Sequence, residues 1–518
     1  MLRLLLSSCS ASLLVPLAFG LPSVPSTPFW FQQKVSHFSA SNATYWQRYY
    51  INEDHWAGPG NPIFVIMGGE GGISPETGIF YPWVTDILAK EYRGLVIQPE
   101  HRFYGESLPF GNASYLPINM RAAMNTQEAL ADAAELIRDA QKKRRCTEGR
   151  GTEFYCPVLV LGGSYPGFLA AMMRMRYPAV VDMAYASSAP LRFYSQEVSQ
   201  YEYYAKVTES AERSVKGCAG AVKKAFDKMV DFFKTANTSE ILQEFSVCNL
   251  PQPMSASLVA DNLLFLAEQT FANLNMGNYP PNSETGLHRT CKNFIKAVEE
   301  QSELVALKNL LLQETRLQHA GLRSGRAHLG FMHQQNGANG GCFDLSVHLP
   351  AGDFATARCG DWSGCGYGHD GQMWDFQTCS FEVEHIGFGT SKQMFPSYPW
   401  TSEWLHRHCW QRFNVTPQPT TLAQLWGFDS TNLARSTSRI VFVNGLNDGW
   451  SVGGILHSLS VERGLIAINL PNGAHHSELS HSIQDDTPDV KEAHERILGL
   501  VGQWLEEIRN PGGLTIVS

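Results

Sequence analysis

Six short, nearly unbroken apolar runs in two widely separated blocks constrain this chain more than any other feature. The first block holds Ile63–Met67, Leu95–Ile97, Val158–Leu161 and Met183–Ala186, and the second holds Arg439–Val443 and Leu465–Leu470. A strand with one wet face alternates apolar and polar residues, so runs without alternation predict strands covered on both faces, as in a parallel sheet. Helical patterns lie between them. Asn125 to Ala140 opens on a capping pair, Asn125 and Glu128, and repeats small or apolar residues at helical spacing. Phe168 to Tyr177 forms a second, stopped by Pro178. Alternating strand and helix predicts a doubly wound α/β layer.

Between the blocks the pattern changes. Apolar positions keep helical spacing in 222–233, 257–268 and 293–312, and the chain then turns Gly-rich up to Gly371. An independent second domain would explain this stretch, but the strand pattern resumes after it, so one sheet interrupted by a cap is the more economical reading. The expected organisation is a leader over 1–20, a first sheet half over 21–192, a mostly helical insertion over 193–429 and a second sheet half over 430–518.

The leader reading rests on Arg3, the apolar stretch Leu4–Leu17 and the small-x-small sequence Ala18-Phe19-Gly20. An uncleaved anchor is the rival, but the stretch is short for a bilayer. With no other stretch long and apolar enough, stable membrane insertion is not expected. Eleven cysteines less Cys9 leave ten, an even number that in an exported protein predicts disulfides of unspecified pairing. Zinc on Cys359, Cys365 and His369 is the competitor, weakened because no C-x-x-C pair occurs. Glycosylation acceptors stand at Asn42, Asn112, Asn237 and Asn414. A formal charge of −9, with no basic run longer than Lys142–Arg145, gives no footprint for nucleic acid.

The sharpest chemical signal is Leu161-Gly162-Gly163-Ser164-Tyr165-Pro166-Gly167. A buried strand feeds a serine flanked by glycine, and a helix follows at once, the context a nucleophile elbow requires. A serine hydroxyl needs a base, and the base needs an acid to orient it. Asp448 follows the run 439–443, and His475 follows 465–470, so chain order and loop position both fit Ser, then Asp, then His. Singly, a loop Asp beside glycine is a turn former and a loop His an exposed residue; the joint arrangement favours the triad. His476 is an adjacent alternative for the base. Gly68 to Gly72 is the candidate second half of an oxyanion hole, with Gly69 as its candidate residue, or else a plain tight turn. Glu70 in that loop either anchors a substrate amine or accepts hydrogen bonds from the loop. Arg102 and Glu106 are expected to form a buried ion pair.

Together these residues resemble the family of prolyl carboxypeptidase, dipeptidyl peptidase II and thymus-specific serine protease. The shared marks are Gly69-Glu70-Gly71, Glu100 to Ser107, Gly162 to Tyr165, Trp374 to Gln377 with Cys379, Asn444-Gly445 leading to Asp448 and Trp450, and Gly473 to His476. They span nearly the whole chain after the leader. The resemblance implies Ser164, Asp448 and His475 as the triad, favours His475 over His476, and implies the backbone N–H of Tyr165 in the oxyanion hole. Two departures stand out: Pro166 where the family commonly has Gly or Ala, and Gly449 where it usually has Pro.

The sequence therefore reads as an α/β-hydrolase fold with a large, disulfide-stapled helical cap. Its expected activity is that of a serine exopeptidase cleaving after a penultimate proline or small residue. A serine esterase or endopeptidase, and a non-catalytic binding protein on the same fold, are the other classes. Peptides are the expected partners, with Trp450 and Tyr165 offering aromatic surface to proline. No metal or organic cofactor is implied, a homodimer is left open, and the expected location is secreted or lysosomal/vacuolar.

Overall fold

The computed structural model describes residues 27–75, 78–146, 149–324, 341–352, 356–389, 392–480 and 486–510. The leader expected over 1–20 lies outside them. All six apolar runs are strands: β3 (Ile63–Ile66), β4 (Leu95–Pro99), β5 (Val158–Gly163), β6 (Met183–Ser187), β9 (Ile440–Gly445) and β10 (Leu465–Leu470). Two that the apolar pattern did not mark, β1 (Phe29–Lys34) and β2 (Thr44–Asn52), add an antiparallel edge. The eight-stranded order is β1-β2-β4-β3-β5-β6-β9-β10, parallel from β4 to β10. The remaining pair, β7 (Val247–Cys248) and β8 (Phe343–Asp344), is a separate parallel ribbon.

Both faces of the sheet are covered, which is why its strands carry no polar alternation. One face buries Val65, Val160 and Phe442 against α1 (Thr126–Lys143) and α2 (Tyr165–Arg176). The other buries Phe64, Leu161 and Val443 against Trp83 and the helix Pro488–Arg509. The first helix is capped by Asn125, which accepts from Glu128 N, but the reciprocal half of a capping box is missing. Glu128 instead reaches β1's neighbours, accepting from Ser36 Oγ and His37 N.

Between β6 and β9 the chain is mostly helical. Helices α3 (Glu202–Ser214), α4 (Cys218–Phe233), α5 (Ala256–Met276), α6 (Gly286–Glu300), α7 (Glu303–Ser324), α8 (Gly368–Thr378) and α9 (Ser402–Phe413) follow in order, and Pro488–Arg509 becomes α10. The apolar spacing read as continuous over 293–312 is broken at Gln301, where φ −130° and ψ −92° end α6. These helices share a core of their own, centred on Phe226, Phe271 and Phe395, which also takes in Trp450 from the sheet half.

All ten cysteines of the described residues are paired: Cys146–Cys156, Cys218–Cys291, Cys248–Cys342, Cys359–Cys365 and Cys379–Cys409. The pairing of Cys359 with Cys365 consumes the thiols that the zinc reading needed. Asn42, Asn112, Asn237 and Asn414 are all exposed, although the Asn237 side chain also caps the helix Thr238–Glu244. Arg102 is buried as expected, but its partner is Asp132 at 2.6 and 2.7 Å, not Glu106. The backbone N–H of Glu106 instead donates to Glu100, whose carboxylate also pairs with Arg48. Among the described residues, no helix is long and apolar enough to cross a membrane.

Candidate active site

The carboxyl ends of β5, β9 and β10 bring together the loops carrying Ser164, Asp448 and His475. Open parallel sheets place reactive groups at this edge, because loops there are free to vary while the strands fix their origins. Ser164 is half-buried among fully buried neighbours and holds φ 66°, ψ −132°, an unfavourable backbone for a residue with a side chain. Its N–H bonds to Ser187 O at 2.9 Å, and its carbonyl accepts from Gly167 and Phe168, so the turn is pinned from both sides. A Cβ at Gly163 would come within 2.6 Å of the His476 ring, so only glycine lets the histidine loop approach the serine turn. Pro166 fits because it lies in the first helical turn, where its missing N–H costs no intrahelical bond.

Asp448 is fully buried, and its Oδ2 lies 2.6 Å from Nδ1 of His475. Its other oxygen accepts from the N–H of Trp450 at 3.1 Å, and its carbonyl accepts from Ser451 Oγ at 2.7 Å. The carboxylate is thereby aimed before any substrate arrives. His476 turns the other way: its N–H donates to Ser188 Oγ and its ring packs on the turn at Gly163.

The loop at Gly69 lies against the start of α2, since a Cβ there would sit 2.7 Å from Pro166 Cγ. Tyr165 opens α2, so its N–H has no intrahelical acceptor. The Tyr165 side chain is buried, its hydroxyl accepting from Gln377 Nε2 at 2.9 Å and lying 3.2 Å from His101 Nε2. Burial lowers the His101 pKa to about 4, and its Nδ1 faces Arg102 O, so this imidazole is a neutral prop behind Tyr165. Trp450 lies with its ring 6.4 Å from that of His475 and 5.0 Å from that of Tyr203.

Glu70 is buried, and burial pushes its pKa up to about 7 against the pull of its own backbone amide and of His475; the Asp361 carboxylate adds to the rise. Asp361 accepts from Trp374 Nε1 at 2.9 Å and from Ser363 N at 2.7 Å. Glu384 is fully buried, and burial together with Asp361 raises it well above the ordinary carboxylate range. Sequence reasoning missed Asp361, Glu384 and Tyr203, which belong to no motif and meet the site only through the helical region's fold.

A sheet of this topology, with a strained serine ending its fifth strand and an Asp–His pair leaving its last two, defines a class: serine hydrolases of the α/β-hydrolase fold. Comparison with known proteins narrows it. Residues 33–497 match the family described as serine carboxypeptidase S28, and the chain belongs to that family of serine peptidases. A lysosomal Pro-X carboxypeptidase of Mus musculus is 30% identical over 458 residues, covering 87% of this chain and 83% of that one. A thymus-specific serine protease of the same organism is 26% identical over 508 residues, covering 95% and 90%. Among solved structures, a proline iminopeptidase of Mycobacterium smegmatis aligns with a TM-score of 0.32 and 12% identity, covering 93% of this chain and 99% of that one. So loose a likeness adds nothing to the fold read from the strands.

Proposed function

We propose that this peptidase is a proline-directed exopeptidase with Ser164 as nucleophile, His475 as general base and Asp448 as the residue that orients it. Ser164 Oγ attacks the scissile carbonyl carbon while His475 Nε2 takes the hydroxyl proton. That proton then passes to the departing amine, leaving an acyl-enzyme. Water deprotonated by His475 releases the acyl group and restores the serine. The N–H of Tyr165 and an amide of the Gly69 loop receive the oxyanion. The observation that carries this reading is the 2.6 Å Asp448–His475 bond, beside a serine turn held against the same histidine loop.

Restriction to chain ends is assigned to the helical insertion proposed for 193–429, whose helix ends bond to the Asp448 and His475 loops, and to the carboxyl groups near them. A terminal charge needs a partner there. With its pKa near 7, Glu70 is a neutral acid in an acidic compartment and donates a hydrogen bond to a substrate carboxylate. This favours release of one residue from the carboxyl end, as the name of the Pro-X carboxypeptidase relative suggests. The second reading, a dipeptidyl peptidase, is favoured by the acidity of the same group: ionised Glu70 would pair with a free amine. Trp450 is proposed to face the proline, with Tyr165, packed on His101 and Trp374, as the second aromatic side chain. The lysosomal relatives and the paired cysteines support a secretory route ending in a lysosome, a vacuole or outside the cell.

Three proline peptides test the proposal: one blocked at the amino end, one blocked at the carboxyl end and one blocked at both. Turnover confined to the first supports the carboxypeptidase, and turnover confined to the second supports the dipeptidyl peptidase. Rapid cleavage of the third rejects the exopeptidase reading.

A further inference from the structure

One planar side chain of the helical insertion brackets Asp448. Asn275, in the last turn of α5 and fully buried, donates from Nδ2 to the carbonyl of Asn447 at 2.6 Å and accepts at Oδ1 from the N–H of Gly449 at 2.7 Å. Those are the peptide groups on either side of Asp448, so only its φ and ψ, −92° and 137°, lie between the two held planes. Ser210 Oγ of α3 adds a 2.8 Å bond to the same Asn447 carbonyl. The neighbouring Met276 carbonyl, which the helix end leaves without an intrahelical donor, accepts from His475 N at 3.2 Å. A single helix end therefore grips both the acid loop and the base loop.

Gly449 belongs to this device. A proline at this position would have no N–H to give Asn275 Oδ1. Here glycine supplies that N–H, and it also lets the Tyr203 ring approach, since a Cβ at 449 would lie 2.9 Å from it.

We propose that Asn275 is a positioning residue: it sets the direction of the Asp448 carboxylate, and so the orientation and tautomer of His475. This rests on the triad reading above. The test replaces the amide by its nearest relatives. Asn275→Ala should lower kcat/KM and the rate of fluorophosphonate labelling by about 10²-fold with KM little changed, the scale expected for a misaimed reacting group. Asn275→Asp carries the sharper readout. As a carboxylate it offers no donor to Asn447 O, whereas as a neutral acid its O–H donates there and its C=O still accepts from Gly449 N. The ratio of variant to wild-type kcat should therefore rise about tenfold between about pH 8 and pH 5, as the buried acid takes up its proton.

A pH-independent ratio would overturn the proposal. So would an Asn275→Ala protein labelled at the wild-type rate, or an Asp variant unfolded even at the acid end, where it should be isosteric and satisfied. Ser164→Ala, run alongside, separates the two levels: label retained in it refutes the triad itself, whereas wild-type behaviour in the Asn275 variants alone refutes only the positioning role.

Discussion

Nδ1 of His475 stands 2.6 Å from Oδ2 of Asp448, while the ring of the next residue, His476, packs on the glycine before Ser164. Two adjacent histidines thus have separate tasks, one bonded to the acid and one filling the wall of the serine turn. His475→Ala should lower kcat by about 10⁴-fold or more, as removal of a triad base does elsewhere. His476→Ala should retain a measurable fraction, since it removes packing and no proton acceptor in the pathway. Steady-state kinetics on the two purified variants check this, and the reverse ranking refutes the assignment.

Ser164→Ala should fold and be exported normally, because its backbone is pinned by Ser187 O and Gly167 N rather than by its hydroxyl. It should neither turn over peptide nor take a fluorophosphonate label. Label on the variant would place the nucleophile elsewhere.

The strands legible in the sequence were those buried on both faces, because only full burial removes polar residues from a run. β1 and β2 escaped: they form the sheet's edge, and β2 alternates Tyr45, Gln47 and Tyr49 inward with exposed Trp46. The candidate triad could be proposed from sequence because its residues follow strand ends in the chain order this fold uses. Asn275 could not, being a polar residue in a mostly apolar helix whose partners are 172 and 174 residues away. The same distance effect misled the Arg102 assignment. Its partner Asp132 is 30 positions off on the facing helix, and nearby Glu106 was the more obvious candidate in sequence.

Cys218–Cys291 joins the start of α4 to α6 across 73 residues. Closing a loop of that length restricts the unfolded chain, so replacing both cysteines by alanine should cost about 2–5 kcal/mol. Denaturant unfolding measures the loss, and peptide mapping of the unreduced protein should recover all five pairs. An unchanged midpoint in the double variant would show that this bridge adds no stability.

Glu70 gives a pH signature that decides between the two chain ends. If it donates to a substrate carboxylate, KM for the amino-blocked peptide should rise as pH passes about 7, where the group ionises and repels the substrate. Glu70→Gln keeps a donor at every pH and should flatten that rise. If Glu70 instead pairs with a substrate amine, KM for the free-amine peptide should fall over the same range, and Glu70→Gln should weaken its use by about 2–3 kcal/mol. A Glu70→Gln enzyme with wild-type KM profiles on both peptides would assign the residue to the loop alone.

The buried acids also set how the whole fold responds to pH. Burial raises Glu70 to about 7 and both Glu268 and Glu382 to about 8, from an ordinary value of 4.5. Between 4.5 and those values the folded chain holds protons that the unfolded chain has released, so stability present at low pH is lost as pH rises through the folded values. Asp132 and Asp375 act oppositely: paired with cations, they are lowered, and their contribution is lost only at pH below the ordinary carboxylate range. His101, held near 4, opposes the acids between 6.5 and 4, because the unfolded imidazole takes up a proton first. One histidine faces several acids, so the melting temperature should be higher near about pH 5 than near pH 8. Glu268 is the cleanest probe, since it is buried with neither oxygen hydrogen-bonded. Glu268→Gln should leave stability near pH 5 almost unchanged and raise it near pH 8, on the order of a few kcal/mol. Parallel melting curves for wild type and variant across that range would show that Glu268 does not hold its proton in the folded state.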